Sequence, residues 1–179
     1  MTKQSVRFLA VLALLGFAIP SQVHAQVIYV SGGATFPTGD FGDYANTGWM
    51  AAGGVLFGVG DSGLGVGGEL FYGQNNHSVE GVDLNSKTSP YGAMAIVDYS
   101  FGNGGIDPYV FGGAGVMVHR YSAEGFDSES ETKFGYQFGA GIGFPIGETT
   151  EIYAEGRYMG ATDTQYFGLL GGFAFGIGN

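Results

Sequence analysis

The stretch Lys133 to Phe144, KFGYQFGAGIGF, constrains this chain more than any other. Phe134, Tyr136, Phe138, Ala140, Ile142 and Phe144 alternate with Gln137 and four glycines. A period of two is the mark of a β-strand, whose successive side chains point to opposite faces. One face is aromatic and aliphatic without a polar break, and the other carries almost no side-chain volume. The rich face therefore reads as facing lipid, and Gly135, Gly139, Gly141 and Gly143 as lining a narrow interior where neighbouring side chains need room. Gly139 and Gly143 also have the GxxxG spacing of packed membrane helices. That reading fails because the uncharged run is too short to span as a helix, and 36 of 179 residues are glycine, the poorest helix former after proline.

The first 25 residues read as a segment apart. Lys3 and Arg7 make a basic start, Phe8 to Ile19 is apolar, and Val23-His24-Ala25 offers the small residues of a cleavage site. This is the pattern of a secretory signal peptide cut before Gln26. An uncleaved anchor fits less well, since the apolar run is short and stops at Pro20. The domain would then be residues 26–179, with four basic residues (Lys87, Arg120, Lys133, Arg157) against 16 acidic ones, a net charge of −12. Such a balance excludes nucleic acid as a partner. Without cysteine, an exported chain of this size is held by a large core or by a closed hydrogen-bonded sheet, and the alternating pattern favours closure.

Eight period-two segments follow, at about 27–36, 48–59, 64–74, 89–101, 108–119, 133–144, 151–160 and 166–177. Each is about 10–13 residues, long enough for a tilted strand to cross a bilayer. Long polar connections (about 37–47, 75–88, 120–132) alternate with short ones (about 60–63, 102–107, 145–150), and the fourth outer connection, about 161–165, is short. This alternation predicts an eight-stranded antiparallel up-and-down transmembrane β-barrel with both ends in the periplasm. Outward positions include Ile28, Val30, Trp49, Leu70, Tyr72, Tyr91, Val97, Tyr99, Phe101, Val110, Ile152, Tyr158, Phe167, Leu169, Phe173 and Phe175. Several aromatics fall near strand ends, where interfacial girdles sit.

The strand-borne charges Glu69, Asp98, Glu155 and Arg157 fall on the inward face, with Ser31, Thr35, His119, Gln137 and Tyr153. Glu155 and Arg157, two apart on one strand, share a face. Charges away from water must pair, so an interior polar cluster centred on Arg157 is expected as structural filling of the lumen. A gate or narrow ion path is the functional alternative.

These residues resemble the small eight-stranded outer-membrane barrels of Gram-negative bacteria, the OmpA/OmpX-like and opacity-protein-like family. The likeness rests on the leader, the opening VIYVSGGATFPTGDFGDY, the aromatic/glycine strands and the closing YFGLLGGFAFGIGN. It implies outer-membrane lipid and lipopolysaccharide as surroundings, a monomer, and roles in envelope integrity, adhesion or surface contact through the outer loops. One departure is the ending Gly178-Asn179, where such barrels commonly place an aromatic residue read by the assembly machinery.

Some barrels of this size resemble lipid A deacylases and palmitoyltransferases, which need a Ser/His site. The nearest candidates are His119 and Ser122, with Glu124 beyond. Residues three apart on a strand face opposite ways, whereas a nucleophile and its base must touch. A non-catalytic protein without cofactor is expected. The acidic loop Ser122 to Thr132 could bind divalent cations, but its spacing is not that of an EF-hand, and it reads as a solvated loop with no metal. A small pore and a soluble periplasmic ligand-binding barrel are the other function classes. The soluble form would need the opposite orientation of the two faces.

Overall fold

The structure is a computed structural model that describes residues 23–79, 82–102 and 105–177. Eight strands run in chain order: β1 (Val23–Thr38), β2 (Gly48–Val59), β3 (Leu64–Val79), β4 (Val82–Ser100), β5 (Asp107–Ala123), β6 (Glu129–Pro145), β7 (Thr150–Ala161) and β8 (Thr164–Ile177). Each pairs antiparallel with the next, and β8 returns to β1 along Gln26↔Ile177 to Thr38↔Gln165, so the sheet closes as a barrel. Closure satisfies the backbone hydrogen bonds of every strand, the condition for crossing lipid with β-structure. Most of the expected leader, residues 1–22, lies outside the described residues. Pairing with both neighbours begins at Gln26, opposite Phe57 and Ile177.

The two faces follow the alternation. Leu70 (68% exposed) and Phe134 (71%) lead an outer belt that includes Ile28, Val30, Trp49, Tyr72, Tyr91, Val97, Tyr99, Phe101, Phe173 and Phe175. The opposite parity is buried, with Tyr29, Met50, Phe71, Met94, Met117 and Leu170 inside. Inward glycines give these rings room. A Cβ on Gly139 would lie 2.7 Å from the Phe111 ring, and one on Gly172 would lie 2.7 Å from the Tyr153 ring. The bore is therefore filled by aromatics lying flat across glycine on a neighbouring wall.

The connections differ from expectation at the loop end. Residues 75–88 and 120–132 were expected as long polar loops, but they are largely continued ladder, reaching Val79↔Val82 in the β3–β4 hairpin and Tyr121↔Glu129 in the β5–β6 hairpin. Once a hairpin leaves the bilayer both faces can be polar, so hydrogen bonding continues after the hydropathic alternation stops. The fourth connection shrinks to Thr162-Asp163 between Ala161 and Thr164, with Asp163 at φ 65°. The first connection does not extend outward. A short 3-10 helix, Gly39–Asp43, turns it over the barrel mouth.

Candidate functional site

From the termini end to the loop end, the lumen holds a cavity, a charged belt and an apolar plug. The belt forms where β3, β6 and β7 bring long side chains to one level. Arg157 is 2% exposed. It grips Glu69 through both terminal nitrogens, Nη1 to Oε1 at 2.8 Å and Nη2 to Oε2 at 3.1 Å. Its Nε donates to Glu155 Oε1 at 2.8 Å, its Nη2 contacts the same oxygen, and its Nη1 donates to Gln137 Oε1 at 3.1 Å. Gln137 Nε2 donates to Glu69 Oε1 at 2.9 Å, while the hydroxyls of Tyr29 and Tyr109 donate to Glu69 (3.1 Å) and Glu155 (2.9 Å). The Phe111 ring centroid lies 5.2 Å from the guanidinium carbon. Two carboxylates face one cation, and the tyrosine and glutamine donors supply the rest of the hydrogen bonding that buried carboxylates require.

Of the sequence-marked charges, Glu69, Glu155 and Arg157 thus meet, and Asp98 does not. Register explains the separation: Asp98 pairs with Gly65, four residues from Glu69 toward the termini end, about 13 Å along the strand. There it lines a cavity of about 540 Å³ with Asp107, Glu148, Glu151 and Tyr153, whose inner wall is the Arg157 belt. Tyr29 and Tyr109 were not singled out from the sequence. Their signal was parity alone, since Tyr29 shares a face with Ser31 and Thr35, and Tyr109 is offset by one from outward Val110.

Beyond the belt, Met50, Phe71, Met94, Met117, Met159, Tyr166 and Leu170 form one packed cluster, completed from above by Phe41 of the 3-10 helix. Phe41 is 1% exposed. Its ring stands edge-on to Tyr44 and His77 at 5.5 and 6.5 Å and 6.1 Å from Tyr166. Backbone and amide bonds fix the loop to β3: Asn46 N donates to Asn76 O at 2.8 Å, and Asn75 Nδ2 donates to Asn46 O at 2.9 Å.

His77, in the hairpin extension past the aromatic girdle, is held by Thr88 Oγ1 at 2.7 Å and Ser86 Oγ at 3.3 Å. Burial under Phe41 and Tyr44 lowers its pKa from 6.5. A depressed imidazole binds fewer protons folded than unfolded, so its contribution is full above the ordinary imidazole pKa and is lost as pH falls through the lowered one. Acidification is expected to loosen the first loop, read as faster proteolysis within residues 37–47, and His77→Gln should flatten that pH dependence. Equal loosening in both proteins would exclude His77 as the cause.

The nucleophile candidates do not assemble. His119 is buried inside the barrel and neither ring nitrogen has a hydrogen bond among the described residues. Ser122 has the opposite parity on β5, and its Oγ meets Ser128 Oγ at 3.0 Å. Among the described residues no group of three or more His, Cys, Asp or Glu is placed to hold a metal ion. The acidic loop shortens to 124–128, turned by Gly125 at φ 83°.

Residues 9–177 match the family model described as the outer membrane protein beta-barrel domain. No curated protein matches the chain. Among solved structures, the chain is similar to Ail, the attachment invasion locus protein of Yersinia pestis, in complex with the heparin analogue sucrose octasulfate. That likeness has 18% identity and a TM-score of 0.58, covering 87% of this chain and 100% of that one. Neisserial surface protein A is similar at 17% identity and TM-score 0.55, covering 84% of this chain and 96% of that one. A major outer membrane protein of Thermus thermophilus is similar at 12% identity and TM-score 0.58, over 86% and 100% of the two chains. At these identities the structural likeness speaks for the fold.

Proposed function

The chain belongs to the outer membrane protein beta-barrel domain family and resides in the outer membrane, and from that premise we propose a non-catalytic role as a sealed structural barrel that presents its outer hairpins for surface contact. The termini and tight turns face the periplasm, and the taller hairpins face outward. The mature chain starts at Gln26, where two-sided pairing begins. The Arg157 belt acts as a structural tie across the lumen.

One observation carries this reading. Above the periplasmic cavity, Arg157, Glu69 and Gln137 are interlocked, and the methionine-rich cluster capped by Phe41 lies beyond them. A pore needs continuous interior water, which eight-stranded barrels seldom leave room for. Attachment and surface proteins among the structural neighbours support a contact role in preference to transport.

The test is planar-bilayer recording on the purified mature barrel, its start at Gln26 verified by intact mass. Electrically silent bilayers are expected from protein that shifts on heating in a gel. Steady conductance altered by Arg157→Ala would instead establish the small-pore alternative.

A further inference from the structure

In a chain this acidic, the placement of each cation is informative. Arg157 is committed to the belt, and Lys133 pairs with Glu131 at 3.1 Å and Asp163 at 3.4 Å. The remaining two, Lys87 and Arg120, lie side by side on the outer wall. In the β4–β5 ladder Ser89 faces Arg120, and Lys87 faces Ser122. Lys87, Ser89 and Tyr91 share the outward parity of β4, and Tyr72 on β3 faces Tyr91. These six residues line one cleft of about 350 Å³. Ser89 is only 5% exposed although its parity is outward, because it forms the floor between longer neighbours.

The cations have neutral partners there. Lys87 Nζ reaches Gln74 Oε1 at 3.4 Å, and Arg120 Nη2 reaches Ser128 Oγ at 3.5 Å. Glu69 and Glu155 pair with Arg157, and Glu131 and Asp163 with Lys133. The strand period sorts charge around the cleft: on β6, Ser130 faces Arg120, whereas Glu129 and Glu131 have the other parity. None of the six residues lining the cleft is acidic, and the nearest carboxylate of the same parity along β5 and its continuation is Glu124, two residues beyond Ser122.

We propose that this cleft binds a phosphate of an outer-leaflet glycolipid headgroup, with Lys87 and Arg120 as counter-charges and the Ser89 and Ser122 hydroxyls as hydrogen-bond donors. Arginine offers a planar fork to phosphate oxygens and lysine a mobile point charge. Height selects a lipid over a soluble anion. Lys87 and Ser89 lie two to four residues beyond Tyr91, about 7–13 Å along the strand and at headgroup level. Below them the same wall continues as exposed Tyr72, Tyr91 and Leu70, a bed for acyl chains. This inference rests on the seat of the barrel in the outer membrane and not on whether the lumen conducts.

The experiment is native mass spectrometry of the full mature barrel in detergent, wild type against the Lys87→Gln/Arg120→Gln double variant. Three probes are used: bisphosphorylated lipid A, enzymatically dephosphorylated lipid A, and a soluble heparin oligosaccharide. Heat-modifiable migration verifies that each protein is folded, and recovery in the outer-membrane fraction tests the seat of the barrel separately. Both substitutions are exposed and leave the ladder untouched. The double variant is expected to bind bisphosphorylated lipid A about tenfold more weakly, and wild type should lose a similar factor on dephosphorylated lipid A. Equal binding by the two proteins, or an undiminished response to dephosphorylated lipid A, would overturn the proposal. So would retention of the heparin oligosaccharide alone, which would assign the patch to a soluble polyanion.

Discussion

Arg157→Leu is expected to cost about 3–5 kcal/mol of barrel stability, the range for removing one partner of a buried ion pair. The loss arises from what stays behind. Glu69 and Glu155 would remain inside, facing each other across the bore, with Tyr29, Tyr109 and Gln137 as their side-chain donors among the described residues. Leucine restores volume but no charge, so the penalty belongs to the uncompensated carboxylates. Arg157→Lys should recover only part of it, because one ammonium cannot hold Glu69 at two oxygens while also donating to Glu155. A triple variant, Glu69→Gln/Glu155→Gln/Arg157→Met, should approach wild-type stability. Urea unfolding in lipid vesicles, followed by loss of the heat-modifiable band, measures all three. A triple variant as weak as Arg157→Leu would show that volume and not charge sets the cost.

The second large effect is expected at Phe41. Phe41→Ala removes the ring that joins the first loop to the plug, and buried phenylalanine truncations cost about 3–5 kcal/mol. Here the loss is capped by whatever free energy docks the loop, since the loop can lift away before the barrel opens. The expected signature is therefore local. Proteolysis within residues 37–47 should accelerate by about a hundredfold, equivalent to about 3 kcal/mol of lost docking, while the unfolding midpoint in urea moves little. Because Met117, Met159 and Tyr166 remain in place below, the variant should still be silent in bilayers. A large fall in the global midpoint without loop cleavage would mean that the loop and barrel unfold as one unit.

The contrast between these sites shows what the sequence exposed. Arg157 and its carboxylates were legible because a charge within an alternating strand has only two faces to choose from, and the other face was full of Phe, Leu and Val. Asp98 obeyed the same parity yet sits elsewhere, since its distance from Glu69 depends on strand register, which alternation does not specify. Phe41 was hidden in PTGDFGDY, a stretch whose glycines and aspartates read as turn chemistry. Its burial depends on Tyr166 and His77, which are more than thirty residues away. The tall hairpins were missed for a third reason. Beyond the bilayer, hydropathy no longer separates the faces, although hydrogen bonding continues.

Those hairpins also make the barrel lopsided. The β3–β4 ladder climbs seven residues past the Tyr72↔Tyr91 pair, whereas β7 and β8 end at a two-residue turn that Lys133 ties to the neighbouring strand. The rim is thus a slope with a high wall on one flank, and the first loop leans against that wall instead of standing free. A visitor from outside the cell would therefore meet stiff, hydrogen-bonded β-ribbon where a fringe of loose chain was expected. Contacts made there would forfeit little conformational entropy, so recognition at this surface would depend on which side chains the two faces of the ribbon display.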